Sequence, residues 1–157
     1  MEVDVGFVLH EGRAMAFEEK RAWVLILVSL GAYALYLVTV LGRVGDGPFA
    51  DVAYAGTLLW TIGGAIAAAI LAHIVMTVAG GRDAGRTDER DREIDQVGER
   101  IGQSMVVIGA LAALLMALAE VRHFWIANAV YLAFVLSSVL SASAKIVAYR
   151  KGGFQTW

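Results

Sequence analysis

The chain has three histidines, His10, His73 and His123, and no cysteine. Without thiols there are no disulfides, no thiol nucleophile, no cysteinyl zinc site and no iron–sulfur cluster. The remaining groups that could do chemistry sit inside or at the ends of apolar runs. Glu120, Arg122 and His123 stand together, with Trp125 and Asn128 following. They can form a polar pocket, with Tyr33, Tyr36 or Trp60, or an ion pair that closes a helical hairpin. Glu120 and His123 supply two ligands, short of the three a catalytic zinc uses. His73 and His123 fall at opposite ends of their runs and cannot ligate one haem, so neither a metal nor a redox cofactor is expected. His73 lies about 9 Å from the end of its run by helix rise, and a bond to Gln103 or Ser104 on a neighbouring helix would satisfy it. Lys145 is within a turn of its run's end and can snorkel to the interface. G-x-S-x-G, H-E-x-x-H and phosphate-loop signatures are missing, and no carboxylates pair inside the runs. Catalytic residues, and hence an enzyme, are not expected.

The densest polar stretch is GGRDAGRTDERDREIDQVGERIG, residues 80–102. After its glycines, Thr87 or Asp88 can cap a helix in which Asp88 and Glu89 reach Arg92, Arg90 reaches Glu93 and Gln96 reaches Arg100. Ile94, Val97, Ile101 and Met105 recur at steps of three, four and four, so one face is apolar and leads into the next run. A solvated helical face is the plain reading. The sharper one makes Asp88, Glu89, Arg90, Arg92, Glu93 and Arg100 a docking surface for a protein. Nucleic acid is excluded as a direct partner, because seven acidic residues from Asp83 to Glu99 outnumber five arginines. D-E-R-D-R-E-I-D also lacks the glycine turn of a calcium loop.

These groups have to be positioned by apolar elements. Of the 157 residues 59% are hydrophobic and one is proline, and the mean hydropathy is +0.65. Runs at about 22–41, 52–79, 102–120 and 124–148 approach or exceed the roughly 20 residues that cross a bilayer. The expected fold is an all-α membrane protein, a four-transmembrane-helix antiparallel bundle with a cytoplasmic loop and helical extension of the third helix over 80–101. Residues 1–14 read as a disordered tail, with Met15 heading the more usual opening MAFEEKRAW, and 152–157 as a C-terminal tail. The first run lacks a small-x-small cleavage site and is expected to stay. Arg13, Lys20, Arg21, the five central arginines, Lys145, Arg150 and Lys151 place eleven basic residues on one side, and Arg43 and Arg122 place two on the other. The positive-inside rule then predicts cytoplasmic termini and a cytoplasmic central loop.

Small residues offer helix contacts in three stripes: Thr61, Ala65, Ala68 and Ala72 beside Gly63 and Gly64; Gly102, Gly109, Ala113 and Ala117; and Ser137, Ser141, Ala144 and Ala148. Gly98-x-x-x-Gly102 has the spacing of an oligomer contact, which makes a homo-oligomer an expected partner beside the lipid bilayer.

The segments EEKRAWVL, TLLWTIGGAI, DERDREI and HFWIANAVYLAFVLS resemble a family of four-span integral membrane proteins of actinobacteria, the DERDREI-type small bacterial membrane proteins. The resemblance covers roughly residues 15 to 155. It implies a bacterial inner membrane and, as companion, a small helix-turn-helix regulator; the motifs carry no known chemistry. The residues and the resemblance together predict a non-enzymatic inner-membrane anchor, sensor or accessory subunit that binds a cytoplasmic protein through the charged helix. The alternative is a small oligomeric channel or transporter. Its lining would be Ser, Thr and Tyr, because the central turns of the runs hold no acid to couple protons.

Overall fold

A computed structural model of the chain describes residues 5–44, 51–79 and 89–151. These form four helices, α1 (Val5–Leu41), α2 (Ala55–Ala79), α3 (Glu89–Leu118) and α4 (His123–Lys151), and no strand among the described residues. Each contains a segment long and apolar enough to cross a membrane: Glu19–Leu41, Ala55–Ala79, Asp91–Leu118 and His123–Arg150. At 1.5 Å per residue the shortest of these is about 34 Å, against a hydrocarbon core of about 30 Å. Leu27, Val38, Leu59, Val78 and Leu118 are exposed, and Trp60 is 83% exposed. A surface this apolar is costly in water and natural in lipid.

The tail expected over residues 1–14 differs from what is found, since the backbone from Val5 already belongs to α1. No proline interrupts residues 5–41, and once a helix is nucleated each added residue gains a hydrogen bond at little cost. At the other end Val38 O and Val40 O accept from Gly42 N and Arg43 N. The second run yields its helix three residues late. Tyr54 sits outside α2 while its carbonyl accepts the bond from Leu58 N at 2.8 Å, the position of an N-cap.

The charged stretch from Glu89 and the apolar stretch to Leu118 form one unbroken helix, as expected. α3 ends in a Schellman motif: Val121 N donates to Met116 O at 2.9 Å and Glu120 N to Ala117 O at 3.1 Å. The motif needs a left-handed residue, and Glu120 supplies it with φ of 53°. This two-bond stop lets α4 begin at His123 and sets α3 and α4 antiparallel.

The hairpin fixes which residues meet. Gly98 lies against the Lys145 stem, Gly102 against Ser137 and Ser141, and Gly109 against Ala133; a Cβ on Gly109 would stand 2.1 Å from that of Ala133. The expected stripes of α3 and α4 therefore face each other. Gly98-x-x-x-Gly102, expected as an oligomer contact, is instead occupied within the chain, because the tight turn brings α4 onto it first.

α4 is the centre of the bundle, with its most extensive contact to α3 and a second to α1, and α2 leans on α1. Tyr36, Val40, Phe124, Tyr131 and Val135 form the core near the turns, joined by Leu58 and Ile62 of α2. Ala22, Ile26, Ala142 and Ile146 close the contact toward the other end. The expected α2 stripe is only partly engaged. Thr61 is buried and Ala65 and Ala72 half-buried, while Ala68, Gly63 and Gly64 face outward, the glycines with open space beyond them.

Candidate functional site

The charged turns of α3 are held rather than free. Ile94 is 1% exposed and packs on Ala148 and Tyr149 of α4. Val97 is half-buried beside it, while Ile101, expected on the same face, is exposed. Asp95 Oδ1 lies 2.9 Å from Lys145 Nζ, and Gly98 gives the Lys145 stem its channel. Lys145, expected to snorkel to the interface, also ties α4 to α3. Across the bundle Arg150 donates from Nε and Nη2 to Glu19 Oε1 at 2.9 and 2.6 Å, joining α4 to α1. Sequence reasoning missed both pairs. The Lys145 pair was recoverable, because residues equally far from a tight hairpin turn must meet.

With this face buried, Arg92, Glu93, Gln96, Glu99 and Arg100 are exposed. Gln96 and Arg100, expected to bond along the helix, make no such bond among the described residues. Asp88 lies outside the described residues. Glu89 and Arg90 open α3, and their side chains, with the pairs expected of them, also lie outside what is described.

At the turn end, Arg122 pairs with Asp51 and not with Glu120. The ion pair expected inside the hairpin instead joins the turn to the segment before α2. Glu120 and His123 are exposed and make no side-chain bond among the described residues. Asn128 turns inward: its Oδ1 accepts from Tyr36 Oη at 2.8 Å and its Nδ2 donates to Phe124 O at 2.7 Å. Trp125 stands edge-to-face with Phe124, with ring centres 5.2 Å apart. Tyr33 and Tyr36 stand edge-on to Tyr131, at 5.3 and 5.2 Å, and the buried Tyr131 hydroxyl has no hydrogen-bond partner among the described residues. Tyr33 and Tyr36 of the expected pocket are thus packing between α1 and α4, whereas Trp60 is exposed on α2.

His73 is exposed on α2 and has no side-chain partner among the described residues. Its expected bond fails because α2 leans on α1, away from α3; Ser104 instead donates to Ile101 O at 2.6 Å within its own helix. No three His, Asp or Glu side chains come together among the described residues.

A groove of about 440 Å³ lies between α3 and α4, lined by Glu99, Gln103, Val106, Phe134, Ser137 and Ser141. Ser138 at its edge bonds Ser29 of α1, Oγ to Oγ at 2.7 Å. Sequence reasoning missed this groove, since Ser137 and Ser141 read equally well as packing residues.

The chain is thus an all-α four-helix bundle whose helices have the length and composition of membrane spans. Compared with protein-family models, curated proteins and solved structures, it matches none.

Proposed function

We propose that the chain is a non-enzymatic protein of a bacterial inner membrane, with both termini cytoplasmic. In this reading it anchors or senses, and it binds a cytoplasmic protein through the charged turns of α3. One observation carries the reading: Ile94 and the Asp95–Lys145 pair fix these turns to α4, which leaves Arg92, Glu93, Gln96 and Arg100 on a rigid outward face. A preformed face binds without first losing the entropy of ordering a segment. The orientation rests on the eleven basic residues of one side against two of the other. The resemblance to the actinobacterial four-span family points to a regulator as the partner.

The test is crosslinking in cells of the wild type and of a charge-reversed variant, Arg92→Glu with Arg100→Glu, followed by identification of neighbours. A neighbour lost on reversal supports the reading. An unchanged set of neighbours, with reconstituted protein passing ions across liposomes, favours the oligomeric channel. That second reading draws on the open outer face of α2 at Gly63 and Gly64. Orientation is checked separately with single cysteines at Asp46 and Ala84: an impermeant maleimide on intact cells should label position 46, and labelling of 84 alone reverses the topology.

A further inference from the structure

The groove between α3 and α4 has a depth, a charge and a set of unsatisfied polar groups. Counting helix rise from the turn, Glu99 lies about 28 Å from Leu118 and Ser141 about 27 Å from His123. A hydrocarbon core is about 30 Å thick, so the groove opens at headgroup level and runs inward about two turns, to Val106 and Phe134. The Gln103 amide and the Ser137 and Ser141 hydroxyls make no hydrogen bond among the described residues. Unpaired polar groups at this depth are costly unless a ligand satisfies them. Asp95 and Lys145 neutralise each other at 2.9 Å, whereas Glu99 has no basic partner among the described residues.

We propose that this groove is a binding site for a phospholipid with a primary-ammonium headgroup. The Glu99 carboxylate is the counter-charge, and the Gln103, Ser137 and Ser141 oxygens accept the ammonium N–H groups. Val106 and Phe134 close the inner end of the groove, while the phosphate stays at the rim and the acyl chains remain in the surrounding bilayer. A quaternary ammonium has no N–H to donate to these oxygens. An anionic headgroup meets the uncompensated carboxylate. The site is separate from the docking face and stands whether or not that face binds a protein.

The test uses the full chain in mild detergent, incubated with equimolar phosphatidylethanolamine, phosphatidylcholine and phosphatidylglycerol of identical acyl chains and read by native mass spectrometry. The ethanolamine lipid should be retained about tenfold over the choline lipid, a difference of about 1.4 kcal/mol. Glu99→Gln should bring the two level. Ser137→Ala with Ser141→Ala, which leaves the charge in place, should lower the ethanolamine adduct at least threefold with unchanged helicity. Equal retention of the lipids by the wild type, or a preference that survives Glu99→Gln, overturns the proposal. So does a dimer that excludes lipid. Glycerophosphoethanolamine at the same concentration should leave no adduct, and binding as strong as the lipid's would make the site one for a soluble amine.

Discussion

Replacing Ile94 by alanine tests whether the charged turns of α3 are a docked platform. Ile94 is 1% exposed against Ala148 and Tyr149, and the change removes three carbons. At about 0.8 kcal/mol per buried CH2 the transfer part alone is about 2.4 kcal/mol. The cavity adds to it, within the roughly 2–5 kcal/mol observed for such truncations. Because the helix-initial turns can open without the bundle, this loss appears as local opening. An increase of about 2.5 kcal/mol corresponds to on the order of 60-fold more opening. Amide hydrogen exchange in lipid nanodiscs should show protection of peptides over 89–98 falling by that order in Ile94→Ala. Glu93→Gln, one residue away and exposed, should change protection by less than about 0.5 kcal/mol. Equal protection in wild type and Ile94→Ala, or an equal loss in Glu93→Gln, would show that these turns are a loose linker and remove the basis of the docking face.

Tyr131→Phe discards a buried hydroxyl with no hydrogen-bond partner among the described residues and should leave thermal stability equal or higher, whereas Tyr36→Phe strands Asn128 Oδ1 and should cost about 1–2 kcal/mol; the opposite order contradicts the packing of α1 on α4. Gly109→Val drives a side chain into Ala133, while Gly63→Val meets open space. The first should lower the melting temperature in detergent and the second leave it within error; equal effects contradict the arrangement of α2. Glu120→Gly relieves a left-handed φ of 53° and should stabilise by about 1 kcal/mol in thermal unfolding; destabilisation would mean that the Glu120 side chain holds something the described contacts omit.

The parts legible in the sequence were those written in length and size. Apolar runs gave four helices, the step of three and four residues through Ile94 and Val97 gave the buried face of α3, and Gly102 and Gly109 gave its seam with α4. The position of α2 was hidden. In lipid a helix is apolar on every side, so nothing in Thr61 to Ala72 distinguishes the side that leans on α1 from the side left open. Long-range polar pairs were equally hidden: Arg122 finds Asp51 and Tyr36 finds Asn128 only after α1, α2 and α4 are placed. Glu120, Arg122, His123 and Asn128 looked like a pocket because they are neighbours in sequence. A helix start sends its successive side chains to different sides, and here they go to solvent, to the loop and to the core.

The most direct test of the central claim is photocrosslinking in living cells from an unnatural residue at Glu93, on the exposed charged face, and at Leu114, on the apolar exterior of α3. The account predicts a discrete protein adduct from position 93, lost in the Arg92→Glu, Arg100→Glu background, and no such adduct from position 114. No protein adduct at 93, or the same adduct from both positions, would contradict it.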